Sequence, residues 1–243
     1  MDRPTLSPKI ENKLGSLTER LKMLYSDGLV SVILYGSAAR GEFKKKHSNI
    51  NLAVVLRDMS LENLAKAKRD LSSGRYAMFN VIFFTEEYIS RTRDVFPIEF
   101  LDMRDNHRVI YGKDVFLGID INMKHLRFQC EQELKEKLMQ ISGFYLVNRN
   151  KKILTAFLYK SLNSTLHIIR NVIRLKGRVP PLDKEGVISE LSREAGSPLV
   201  SMSGILKAFK NNTSLSRGDI DKLFFGFADE LKDITEAVDR LSI

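Results

Sequence analysis

Segments rich in β-branched and aliphatic residues are concentrated in the first 112 positions of this 243-residue chain, and they constrain its fold most. Residues 29–35, 50–56 and 77–84 are such segments, and residues 107–112 form a shorter one. Their length and composition predict buried strands, with the last as an edge strand. Segments of helical periodicity lie between them. The first part of the chain is therefore predicted to be an α/β (α+β) domain with a small mixed sheet.

Three helices are predicted around these strands. The first begins at Ser7-Pro8, because a serine side chain can cap a helix and proline fits the first helical position. The second covers residues 61–73. The third begins at Thr85 and is expected to stop at Pro97.

Beyond residue 118 the apolar residues follow helical spacing alone, which predicts an all-α helical-bundle domain. We therefore expect two domains, residues 1–117 and residues 118–243. In the last predicted helix, apolar residues recur in steps of three and four, which is typical of a bundle helix or of a seam for a second subunit. The predicted helices cover residues 121–147, 151–176, 183–194, 202–211 and 217–241.

Charge and composition favour a cytoplasmic protein with anionic partners. The formal net charge is +9, and residues 137–182 hold nine Lys or Arg residues and no acidic residue. No apolar run approaches the ~20 residues needed to span a bilayer, and the N-terminus lacks the apolar core of a secretory signal. The single cysteine, Cys130, excludes an internal disulfide and is expected to be a small buried residue.

A glycine-serine turn follows the first predicted strand, and an asparagine motif begins the second. Gly36-Ser37 is followed by Ala39-Arg40-Gly41-Glu42 and then by Ser48-Asn49-Ile50-Asn51-Leu52. Another asparagine, Asn80, lies in the third predicted strand. Over about residues 10–112, this order resembles the nucleotidyltransferase superfamily, which includes DNA polymerase beta-like, kanamycin and minimal nucleotidyltransferases.

The resemblance implies a site where an Asp-x-Asp motif and a third Asp hold Mg²⁺ ions for nucleotide transfer. At those positions this chain has Asn49, Asn51 and Asn80. An amide has nearly the shape of a carboxylate without its charge, and Mg²⁺ prefers charged oxygen ligands. We therefore expect weak Mg²⁺ binding, no metal site and no catalytic residue of the usual kind. Both a naturally degenerate site and an engineered inactive one fit this pattern.

The other half of such a site is expected to bind the phosphates of ATP or another NTP. Gly36 allows a phosphate to approach the backbone, while Ser37 and Arg40 can donate hydrogen bonds to it. The loop that follows adds positive charge through Lys44, Lys45 and Lys46. The alternative interpretation is a plain strand turn with a solvated basic loop.

The helix predicted over residues 151–176 carries a basic stripe. Its members are spaced by three and four residues and so share one face: Lys160, His167, Arg170 and Arg174. By the same resemblance, this stripe would form the basic wall of an interdomain cleft, which suits a nucleotide or nucleic acid better than a cationic aminoglycoside. A solvated helix face is the alternative.

Three functional hypotheses remain open. The first is a catalytically degenerate pseudoenzyme that binds a nucleotide or anionic partner between its domains, with a regulatory or interaction role. The second is an active nucleotidyltransferase that transfers NMP from NTP with atypical metal use. The third is a structural subunit that forms a homo-oligomer through the helix over residues 217–241.

Overall fold

The structure is a computed structural model of the chain, and it describes residues 6–40 and 50–242. The chain divides into two compact units, Met1–Ile121 and Asn122–Ile243. None of the described helices is long and apolar enough to cross a lipid bilayer.

The first unit is built on a mixed four-stranded sheet in the order β3-β2-β1-β4. The strands are β1 (Leu29–Tyr35), β2 (Ile50–Leu56), β3 (Phe79–Phe84) and β4 (His107–Gly112). β1 is antiparallel to both β2 and β4, whereas β2 and β3 are parallel. The predicted small mixed sheet is confirmed, with β4 at one edge.

Helices of the first unit pack on this sheet and connect its strands. Leu14, Leu17 and Leu21 of the first helix lie one turn apart and share a core with Val32 and Leu34 of β1. The helices are α1 (Pro8–Tyr25), α2 (Ser37–Arg40), α3 (Leu61–Ala65), α4 (Lys68–Ser72), α5 (Glu86–Thr92) and α6 (Pro97–Asp105). A 3-10 turn, Ser26–Gly28, leads from α1 into β1.

The single helix predicted over residues 61–73 is wrong, because the structure has two short helices there. The amide of Lys66 bonds to the carbonyl of Asn63, only three residues back. Such a bond tightens the last helical turn. α3 therefore ends at Ala65, and α4 begins as a separate helix at Lys68.

The prediction that Pro97 stops the helix begun at Thr85 is also wrong. α5 has already ended at Thr92, and Pro97 occupies the first turn of α6. Proline is tolerated there because the first N–H groups of a helix have no helical partner. The predicted cap at Ser7 differs too, since its side chain makes no capping hydrogen bond although α1 does begin at Pro8.

In the second unit, the described residues form helices and no strand. The helices are α7 (Met123–Val147), α8 (Lys151–Leu175), α9 (Lys184–Ala195), α10 (Val200–Lys210) and α11 (Arg217–Asp239). α7, α8 and α11 contact one another, and α10 packs against α8 and α11. Cys130 of α7 is buried, as predicted, and burial raises the pKa of its thiol. The predicted helical bundle is confirmed.

The apolar row of α11 is buried inside this unit. Its buried members include Ile220, Phe224, Phe227, Leu231 and Val238. Because α11 contacts α7, α8 and α10, these side chains are covered by the same chain. Of the two interpretations of this row, the structure favours the bundle helix over the seam for a second subunit.

The N-terminus of α10 is capped by another helix. The preceding residue, Leu199, makes no side-chain capping bond. Glu230 of α11 supplies the acceptors instead: its carboxylate takes hydrogen bonds from the amides of Ser201 (2.6 Å) and Met202 (2.9 Å). This tertiary contact explains why α10 begins at Val200, two residues before the predicted start at residue 202.

Candidate functional site

The turn after β1 depends on glycine. Gly36 has a φ of +76°, in the left-handed region that residues with a Cβ adopt only at a cost. Its amide donates to the carbonyl of Asn106 (2.9 Å), which ties the turn to the segment before β4. Its carbonyl accepts from the amides of Ala39 (3.0 Å) and Arg40 (3.1 Å), so the chain turns at once into α2.

Two of the three predicted asparagines lie side by side next to this turn. Asn51 of β2 is the register partner of Asn80 in parallel β3 and of Tyr35 in antiparallel β1. The Asn80 Nδ2 atom donates to the Asn51 Oδ1 atom across 3.3 Å. A Cβ on Gly36 would stand 3.3 Å from the Asn51 Nδ2 atom. The structure thus brings Gly36, Asn51 and Asn80 together, with Asn51 half-buried and Asn80 exposed.

The described residues of this site do not fit a magnesium ion. Mg²⁺ takes charged, hard oxygen ligands in near-octahedral geometry. Asn51 and Asn80 are neutral, and the one carbonyl oxygen of Asn51 already accepts a hydrogen bond. Within residues 6–40 and 50–242, no group of three or more His, Cys, Asp or Glu side chains could hold a metal ion.

Part of the predicted site falls outside the described residues. Asn49 and the loop cations Lys44, Lys45 and Lys46 all lie within residues 41–49. The other predicted phosphate contacts are described. Ser37 begins α2 and Arg40 ends it, and both are half-buried next to the Gly36 turn.

A histidine that sequence reasoning missed braces the backbone beside the turn. His107 begins β4 and is the register partner of Tyr35. Its Nδ1 atom lies 2.9 Å from the carbonyl of Arg104, and its Nε2 atom lies 3.0 Å from both carboxylate oxygens of Asp114. Burial acts to raise the pKa of Asp114, but the bonds and charge of His107 and two backbone N–H donors outweigh it and lower that pKa. His107 thereby holds the segment whose Asn106 carbonyl receives the Gly36 amide.

No short motif marks this pair, because His107 begins β4 and Asp114 lies seven residues later, beyond the end of that strand. A polar residue at each end of a predicted strand is only a weak indication that the two side chains are in contact.

The predicted basic stripe lies on α8 in the second unit, and much of it is engaged there. Lys160 is exposed, whereas His167, Arg170 and Arg174 are half-buried. Arg170 donates to the carbonyl of Leu182. The Arg174 guanidinium donates to the Oδ1 atom of Asn171 (2.8 Å), and the Asn171 amide donates to the His167 carbonyl (3.1 Å). The stripe is therefore partly a structural network within the bundle.

The comparisons with known proteins identify the class. Residues 14–111, which contain β1 to β3 and most of β4, match the family model of the nucleotidyltransferase domain. Residues 14–111 of the first unit are therefore assigned to the nucleotidyltransferase superfamily. Comparison with curated proteins finds no significant match.

A solved structure shares the fold beyond that domain. The chain is similar to the spectinomycin adenyltransferase AAD(9) from Enterococcus faecialis, with a TM-score of 0.60 and 12% sequence identity. The similarity covers 91% of this chain and 99% of that one. A sheet domain followed by a helical region is therefore the architecture that the two chains have in common.

Proposed function

We propose that this protein is a catalytically degenerate nucleotidyltransferase that binds a nucleotide or another anionic partner and acts as a regulatory or interaction module. The pairing of Asn51 with Asn80 carries this proposal. These side chains occupy the adjacent strand positions where the superfamily resemblance calls for metal-binding carboxylates.

The chemistry of an amide argues against the usual two-metal transfer. Each lost carboxylate removes about 4 kcal/mol of gross attraction per unit of ion charge at ~4 Å and an effective dielectric of about 20. An amide also cannot accept the proton of an acceptor hydroxyl as a general base. With Asn49 as the third such position in the sequence, the loss would be repeated at every ligand position.

Nucleotide binding is supported by the part of the site that is retained. Gly36 keeps a backbone turn without a side chain, followed by Ser37 and Arg40. The structure of the spectinomycin adenyltransferase was determined with ATP and spectinomycin. We propose ATP or another NTP as the ligand of this chain, with Lys44, Lys45 and Lys46 as a source of positive charge.

A transfer assay tests the degenerate character directly. The protein is incubated with α-labelled ATP, GTP, CTP or UTP and with Mg²⁺ or Mn²⁺, and nucleotide transfer and pyrophosphate release are measured. We expect no turnover. Robust turnover that is lost in Ser37→Ala would overturn the proposal, because it would show a working site in this location.

One observation favours a second candidate, an active nucleotidyltransferase with atypical metal use. The chain is similar over 91% of its length to an adenyltransferase, so both regions of that architecture are present. In that case turnover with Mn²⁺ should persist and should fall on mutation of an acidic residue near the turn. Glu42 is the nearest in sequence, and Glu42→Gln is the variant to measure.

A further inference from the structure

We propose that Asn51 and Asn80 themselves bind phosphate oxygens, so that this site recognises a metal-free polyphosphate such as the triphosphate of ATP. The inference rests on the proposed nucleotide-binding function and specifies its chemistry. In this arrangement the neutral amide N–H groups take the place of the metal ion as the partners of the phosphate oxygens.

The hydrogen bond between the two amides sets their orientation. Because the Asn80 Nδ2 atom donates to the Asn51 Oδ1 atom, the carbonyl oxygen of Asn51 is already engaged. The Asn51 Nδ2 atom then lies toward the turn, 3.3 Å from where a Cβ on Gly36 would stand. Beside the turn, Asn51 therefore presents an N–H donor and not an acceptor.

Counting donors shows which ligands this site favours. An asparagine amide carries two N–H donors, so the two amides together carry four, of which one is used between them. The remaining donors match phosphate oxygens, which at neutral pH mainly accept hydrogen bonds. A pair of carboxylates would repel a phosphate and would need a cation between them. Exchanging carboxylate for amide thus removes the charge that attracts a cation and adds N–H donors that can bind an anion.

The surroundings are consistent with this reversal. Gly36 has no side chain to block approach to the Asn51 amide. Among the described residues no group of three or more His, Cys, Asp or Glu side chains could hold a metal ion. The two amides themselves are neutral and do not repel a phosphate.

Calorimetry with the full chain tests the inference, using ATP and inorganic tripolyphosphate as two probes, each in EDTA and in Mg²⁺. We expect both probes to bind in EDTA and Mg²⁺ to give no gain in affinity. Asn51→Asp and Asn80→Asp should each weaken binding in EDTA at least about tenfold, equivalent to ~1.4 kcal/mol, because donors are lost and a negative charge is added.

A matched control separates local chemistry from net charge. Asn150 is exposed, and its Oδ1 atom caps α8 by accepting from the amides of Lys152 and Ile153. Asn150→Asp keeps that acceptor and changes the net charge by the same amount, so it should leave the affinity near that of the wild type. Asn80→Ser, at an exposed position, removes amide donors without adding charge and should weaken binding several-fold.

The outcomes distinguish this inference from the function on which it rests. If ATP binds in EDTA and Asn51→Asp and Asn80→Ser bind it as the wild type does, the amides are not phosphate ligands, although nucleotide binding stands. Binding that requires Mg²⁺ also overturns the inference. Absence of binding under both conditions refutes the proposed function itself. If Asn51→Asp does not fold, as judged by its thermal melt, the affinity of Asn80→Ser decides between these outcomes.

Discussion

Introducing carboxylates at positions 51 and 80 should make the stability of the first unit depend on a divalent cation. In the double variant Asn51→Asp/Asn80→Asp, the donor-acceptor contact of 3.3 Å becomes a contact between two acceptors of like charge. At ~3.3 Å the repulsion is about 1 kcal/mol at the dielectric of water and about 5 kcal/mol at an effective dielectric of 20. Because Asn80 is exposed, the lower figure applies.

The assay is a thermodynamic cycle of the wild type, the two single variants and the double variant, each unfolded in EDTA and in Mg²⁺. We expect a coupling free energy of about 1 kcal/mol against the double variant in EDTA, which lowers Tm by about 2–4 °C in a chain of this size beyond the sum of the single effects. Mg²⁺ at ten times its Kd should return about 1.4 kcal/mol, since ligand binding stabilises by RT ln(1 + [L]/Kd).

The single variants are the internal controls, because each places one carboxylate beside one neutral amide. Additive effects in EDTA would refute the inferred proximity of the two side chains. Stabilisation of the wild type by Mg²⁺ as large as that of the double variant would refute the conclusion that the amide site does not fit a metal ion.

Three further results are expected. Gly36→Ala and Gly74→Ala should each cost about 1–2 kcal/mol of stability, since both residues have positive φ. Only Gly36→Ala should also weaken ATP binding in calorimetry, because its Cβ would stand 3.3 Å from the Asn51 Nδ2 atom, whereas nothing lies within 4 Å of a Cβ on Gly74. Glu230→Ala should lower the free energy of unfolding by about 1–3 kcal/mol, as measured by chemical denaturation, because the amides of Ser201 and Met202 at the start of α10 lose their acceptor. Burial raises the pKa of the Glu230 carboxyl above its ordinary 4.5. The stability that this group contributes is therefore fully present below pH 4.5 and is lost as the pH rises through the higher pKa of the folded state. Glu230→Gln should remove this pH dependence of the melting temperature.

The strands and the turn could be predicted from the sequence because their signals are local. A β-branched run needs no distant partner to be recognised, and the glycine at position 36 stands where a strand gives way to a turn. The convergence of Asn51 and Asn80 could be expected only through the superfamily resemblance, since residues 29 positions apart meet through strand register. The resemblance predicted where the two side chains lie, whereas only the structure shows which amide donates and which accepts.

Features that depend on tertiary contacts were missed or incomplete. The acceptor that starts α10 comes from Glu230, about thirty residues later, so no local cap in the sequence marks the true beginning of that helix. The basic stripe on α8 was predicted from spacing alone. Spacing does not reveal that Arg170 and Arg174 find acceptors in Leu182 and Asn171 within the same bundle.

The amide pair adds a direct hydrogen bond between two neighbouring strands of the sheet. In a site with acidic side chains on adjacent strands, the ion offsets a repulsion that the backbone pairing alone must otherwise withstand. Here the pairing of β2 with β3 is reinforced, because Asn80 donates to Asn51 between the same two strands. With this hydrogen bond, the two side chains are held together by each other, and their arrangement needs no cation between them. Variants at this pair should therefore change which ligand is bound while the turn at Gly36 and the sheet order remain the same.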